Sequence, residues 1–125
     1  MNFNILILVD HASNYIPHRL NDLGITKELL NSHIAYDINI KDLAIEVTKK
    51  LKAKIITGKY SRLVVDLNRS KKDPTIITAI ADQNLIKGNI NLNPKDKKYR
   101  LSAIYDNYHS SINKLIKNKN INLII

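Results

Sequence analysis

The chain has 125 residues, of which 44% are hydrophobic and 25% charged, with a net charge of +9 and no cysteine. This balance fits one globular domain and excludes a disordered chain, a disulfide-stapled fold and any thiolate metal site. No apolar run approaches the roughly 18 residues of a membrane helix. Met1 to Val9 also lacks the basic start and small-residue cleavage pattern of a signal peptide, so the expectation is a cytoplasmic protein with no membrane partner.

The positive charge comes from lysines scattered along the chain and only four arginines. The densest groups are Lys49-Lys50-Leu51-Lys52, Lys71-Lys72 and residues 95–100, each on an expected solvated face or loop. A nucleic-acid binder clusters its cations and interleaves aromatics. The pattern therefore argues against a nucleic-acid partner, and a small anionic substrate is as good a reason for a positive field.

In chain order, Asn4 to Val9 is a continuous apolar run of strand length, the mark of a strand covered on both faces. It stops at Asp10-His11-Ala12-Ser13-Asn14. Open α/β sheets bind ligands just past the carboxyl ends of their strands, which makes His11 a candidate metal ligand or general base. The plainer reading is that Asp10, Ser13 and Asn14 form a turn. Thr26 is placed to cap a short helix over Lys27 to Asn31. A longer helix is expected from about Ile38 to Lys52, with Ile40, Leu43, Ala44, Val47 and Leu51 at helical spacing. Asp37 stands where an N-cap would stand. Lys54 to Thr57 reads as a strand and Gly58 as the turn after it.

Tyr60-Ser61-Arg62-Leu63-Val64-Val65-Asp66-Leu67-Asn68-Arg69 is the most unusual stretch. Its apolar residues predict a buried strand, with Arg62, Val64, Asp66 and Asn68 on one face. Burying charges in a strand costs several kcal/mol unless they are paired. Two explanations are open. Arg62, Asn68 and Arg69 could grip a carboxylate, since arginine offers a flat donor fork and asparagine a neutral donor. Alternatively, an internal Arg–Asp pair could order the strand.

Residues 70–93 show few periodic signals, and Thr75 to Ala81 could be strand or helix. Asn93-Pro94 opens a long helix, with Asp96 at the capping-box position. Its apolar side is Leu101, Ile104, Tyr105, Tyr108, Ile112, Leu115 and Ile116; His109 reads as a surface or packing residue. Asn120 to Ile125 reads as a last strand that stops mid-run, as in a fragment of a longer protein. The order β-α-β-β-loop-α-β predicts one α/β domain over residues 1–125.

Several of these segments fall into one pattern. Asp10-His11-Ala12-Ser13-Asn14 followed by Pro17, Leu23-Gly24, His33-Ile34-Ala35 followed by Asp37, the whole of 60–69, and Tyr108-His109 resemble the N-formylglutamate amidohydrolase family over nearly the whole chain. The resemblance implies a three-layer α/β/α fold with a mixed, mainly parallel sheet, related to the zinc carboxypeptidases and aspartoacylases. It implies zinc-dependent hydrolysis of a small anionic N-acyl amino acid, formally N-formyl-L-glutamate to formate and L-glutamate. By the same resemblance His11 and Asp37 are metal ligands, and Arg62, Asn68, Arg69, Ser13 and Asn14 bind substrate. Asp66 and Asp10 are supporting residues, with Asp66 orienting an arginine. Asp10 stands where the family usually has Glu, and Asn14 where the related carboxypeptidases have a ligating carboxylate. Family members run to about twice this length, so a last histidine ligand and a catalytic carboxylate are expected beyond Ile125. The alternative is a non-catalytic remnant that binds a small carboxylate.

Overall fold

A computed structural model describes residues 3–125. The elements are β1 (Ile5–Val9), α1 (Lys27–Leu30), α2 (Ile40–Leu51), β2 (Lys54–Thr57), β3 (Ile80–Ala81), β4 (Asn84–Leu85), α3 (Pro94–Tyr99), a π-helical segment (Arg100–Asp106), α4 (Asn107–Lys119) and β5 (Leu123–Ile124). No helix among the described residues is long and apolar enough to cross a membrane.

β1 is the central strand of a three-stranded sheet in the order β2-β1-β5, with both pairings parallel. The antiparallel strands β3 and β4 form a separate hairpin. Alternate residues of β1 serve two cores, as side chains on opposite faces of a strand must. Leu6 and Leu8 pack with Ile104, Tyr108 and Ile112 of the long helix. Ile5, Ile7 and Val9 pack with Ile40, Ala44 and Val47 of α2. The continuous apolar run at the start of the chain is explained by helices on both sides of it.

The expected helices form close to their expected bounds. The Thr26 hydroxyl accepts from the Leu29 N–H and caps α1. The Asn93 side chain accepts from the Lys95 N–H, with Pro94 at the first helical position. Asp96 does not close a capping box; its carboxylate accepts instead from Arg19 at 3.3 Å. The N-cap position of α2 is Asn39, in the left-handed conformation (φ 64°) and without a side-chain capping bond, not Asp37. Asp37 is therefore free of the capping role that would have accounted for it.

The strand expected over 60–69 does not form. The segment is a chain of turns, and Leu63, Val64, Val65 and Leu67 are all buried without alternation. Its backbone donors go to loops rather than to a ladder: Ser61 N–H to Tyr15 O, Arg62 N–H to Ala35 O and Asp66 N–H to Ile76 O. A buried apolar run satisfies the burial criterion for a strand without satisfying the pairing criterion. Thr75 to Ala81 is likewise neither helix nor long strand; only Ile80–Ala81 pairs, across a tight turn with Asp82 and Gln83 at positive φ.

Candidate functional site

The site forms where β1 ends. The Asp37 N–H donates to the His11 carbonyl (2.9 Å), and the Arg62 N–H and the Ser61 hydroxyl both donate to the Ala35 carbonyl (3.1 and 2.8 Å). Three distant segments are thereby stitched together by backbone acceptors. Gly58 is part of the same seam, its N–H donating to Val9 O at 2.8 Å. A Cβ at Gly58 would overlap the Asp10 carbonyl, so only glycine lets the chain pass there.

His11 lies between two carboxylates. Its Nε2 is 2.7 Å from Asp66 Oδ1, and its Nδ1 is 3.8 Å from Asp37 Oδ2. Asp66 also accepts from the Asn68 backbone N–H (3.0 Å) and from Arg69 Nε (3.1 Å). Burial alone would raise the Asp66 carboxyl pKa; the bonds from His11, Asn68 and Arg69 outweigh it and hold the group below the usual carboxylate range. An ionised carboxylate can only accept, so His11 Nε2 donates to Asp66 and Nδ1 is the ring nitrogen left facing Asp37.

One internal Arg–Asp pair forms within the 60–69 stretch, Arg69 with Asp66, while Arg62 pairs outside it, with Asp37. Arg69 is further held by Thr75 and lies 3.9 Å from Asp73. Arg62 keeps one unpartnered buried atom, Nε. Asp66 does orient an arginine, and it orients His11 as well. A cavity of about 270 Å³ opens beside this cluster; its walls are two chain segments, one lining it with Arg62, Asp66 and Arg69 and the other, running into the hairpin, with Thr75, Thr78 and Asp82.

Not every expected residue joins the cluster. Ser13 Oγ accepts from the Tyr15 N–H, a local turn, and Asn14 donates to Leu30 O and Asn31 Oδ1 at the end of α1. Asn68 is exposed and contributes its backbone N–H. Asp10 accepts from the Tyr108 hydroxyl at 2.5 Å, which ties the residue before His11 to α4. Burial and the Asp10 carboxylate push the Tyr108 phenol well above its ordinary value, so it remains a donor. His109 packs against Tyr105 and bonds the Leu67 carbonyl. The contacts His11–Asp66 and Tyr108–Asp10 span 55 and 98 residues, and no local pattern announces them.

For a zinc ion, the donor chemistry is suitable but incomplete. A hydrolytic zinc takes three protein ligands, commonly histidines with a carboxylate. His11 Nδ1 and Asp37 face one another at a distance that repositioning of an exposed carboxylate can convert to shared ligation, and Asp66 supplies the outer carboxylate typical of a ligating histidine. Among the described residues no three His, Cys, Asp or Glu side chains are placed to hold a metal ion together. His11 and Asp37 are two neighbouring donor side chains, with Asp66 behind the histidine.

The arrangement defines a class: an α/β protein with a histidine–carboxylate centre and an arginine-walled cavity at the carboxyl end of a parallel strand. Comparison with known proteins makes this specific. The chain belongs to the N-formylglutamate amidohydrolase family, whose profile matches residues 3–122. It is similar to the crystal structure of gene product Atu2144 from Agrobacterium tumefaciens, with 29% sequence identity and a TM-score of 0.91. The match covers 94% of this chain and 47% of that one, so the chain spans about half the length of that relative. No curated protein matches it.

Proposed function

We propose that this chain carries half of the active site of a zinc-dependent hydrolase acting on the amide bond of an N-acyl amino acid. N-formyl-L-glutamate is the substrate that the family's name suggests. The observation that carries the reading is His11, with its Nε2–H fixed by Asp66 and its Nδ1 turned toward Asp37. His11 and Asp37 would hold the metal; the third ligand and the catalytic carboxylate would come from residues this chain does not contain. The complete domain would have the three-layer α/β/α, mainly parallel architecture of the zinc peptidases, of which β2-β1-β5 and the flanking helices form a part.

When bound, a zinc ion would supply Lewis acidity at the acyl carbonyl and lower the pKa of a water. The chain's own residues do the rest. Asp66 fixes the His11 tautomer and ring orientation. Arg62 and Arg69 set two cations along one cavity wall, where a substrate carboxylate can exchange with the carboxylates that now pair them. Tyr108 holds Asp10 and, through it, the end of β1.

One observation favours a second reading. With two ligands but no third among the described residues, the 125-residue chain would bind a small carboxylate without turning it over. The test is hydrolysis of N-formyl-L-glutamate and a panel of N-acyl amino acids with added zinc, compared with a chelator and with His11→Ala. Turnover lost in both controls supports the hydrolase for this chain as it stands. Binding without turnover supports the second reading, and turnover indifferent to both controls overturns the metal site.

A further inference from the structure

We propose that Arg100 and Asn89 form a positioning pair that holds the two walls of the anion cavity in register from behind. The inference rests on reading Arg62 and Arg69 as carboxylate ligands. Arg100 is only 1% exposed, the most buried charged residue described, and its bonded partners are neutral. Its Nη1 donates to the Val64 carbonyl (3.1 Å) and to Asn89 Oδ1 (2.6 Å). Asn89, also buried, donates through Nδ2 to the carbonyls of Leu63 (2.8 Å) and Thr78 (2.7 Å).

Those three carbonyls belong to the two walls. Leu63 and Val64 lie in the turn segment that presents Arg62, Asp66 and Arg69, and Thr78 lies in the opposite wall. Neither wall is built from a paired strand at these points. Near the cavity mouth the Asp66 N–H to Ile76 O bond and the Arg69–Thr75 bond tie them together; behind it, Asn89 bonds both, through the carbonyls of Leu63 and Thr78. Asn89 can do this because Arg100 takes its oxygen and leaves both amide hydrogens for carbonyls.

A role in filling space would not need this chemistry. An apolar side chain of similar volume avoids the desolvation of a guanidinium, which is large when no anion compensates it. Arg100 also retains an unpartnered buried Nε. What a hydrocarbon cannot supply is directed donors to fixed carbonyls. Arg100 also stands at the junction where α3 passes into the π-helical segment, and such irregular turns often mark functional positions.

The test titrates N-formyl-L-glutamate into the full 125-residue chain and into Arg100→Met, Arg100→Lys and Asn89→Ser, each corrected for its folded fraction. The ¹H–¹⁵N signal of Arg69 Nε–H, which donates to Asp66, is followed in parallel. The expected result is at least tenfold weaker binding for Arg100→Met and Asn89→Ser, with a displaced Arg69 signal. Arg100→Lys, which keeps one cationic donor, falls between them and the unchanged chain. A merely structural pair would lower thermal stability and leave both affinity and the Arg69 signal of the folded molecules as they were; that result overturns the inference. If Arg100→Met does not fold, Asn89→Ser carries the same decision. Binding without zinc-dependent turnover would leave the inference standing while removing the hydrolase, whereas failure of the unchanged chain to bind the probe overturns it.

Discussion

At the scale of single residues, Asp66 connects the two halves of the site. It bonds the Nε2–H of His11 on one oxygen and Arg69 on the other. Asp66→Asn should weaken zinc binding by about 10- to 100-fold, as loss of an outer carboxylate on a ligating histidine does; calorimetric titration measures it. The same residue gives the fold a pH dependence with a definite sign. Its carboxyl pKa is lower in the folded chain than in the unfolded one. Its contribution is therefore complete above the unfolded value of about 3.9 and is lost as pH falls through the folded value. Unfolding midpoints measured from pH 6 downward should fall more steeply below about pH 4 for the unchanged chain than for Asp66→Asn. Parallel curves would show that Asp66 makes no such contribution. The sequence marked His11, Arg62 and Arg69 through their residue types and local setting, and Asp37 through the family resemblance alone. It could not assign the partners: Asp66 was legible as a carboxylate beside arginines, but its bond to a histidine 55 positions away depends on where β1 ends relative to the 60–69 turns.

At the scale of elements, strands β1 and β2 and both principal helices follow from periodicity and apolar runs, and a mainly parallel sheet from the family resemblance. The 60–69 segment does not, because burial is visible in sequence and hydrogen-bond partners are not. Here the partners are Tyr15, Ala35 and Ile76 carbonyls from three separate loops. The π-helical segment was equally hidden, since Leu101, Ile104, Tyr105 and Tyr108 sustain an apolar face compatible with an unbroken α-helix. Tyr105 within it donates its OH to the Arg69 carbonyl, and Tyr108, just beyond it in α4, donates to Asp10. Tyr108→Phe should cost about 1 kcal/mol or somewhat more, the ordinary net value of a hydrogen bond with a charged acceptor. Denaturant unfolding checks this. Gly58→Ala should be far more damaging, on the order of 3 kcal/mol or above, because its Cβ meets the backbone of Asp10 rather than a side chain that could turn away. A Gly58→Ala chain of unchanged midpoint would contradict the close approach of β2's end to β1's.

At the scale of the whole molecule, the described chain leaves apolar surface at one side of its sheet. Leu123, Ile124 and Ile125 are 40%, 47% and 57% exposed, and β5 pairs only with β1. An unpaired apolar edge is a template for association. Ile124→Lys should reduce concentration-dependent self-association of the 125-residue chain in sedimentation; an already monomeric chain at high concentration would contradict this. At the same scale the family fold is present in part: the match to the Agrobacterium protein spans nearly all of this chain and 47% of that one. The most direct measurement is zinc titration of the unchanged chain, His11→Ala and Asp37→Asn by calorimetry. The expected result is one zinc per chain, lost in His11→Ala and strongly weakened in Asp37→Asn. Zinc bound equally by all three, or by none, would contradict a metal centre built on His11 and Asp37.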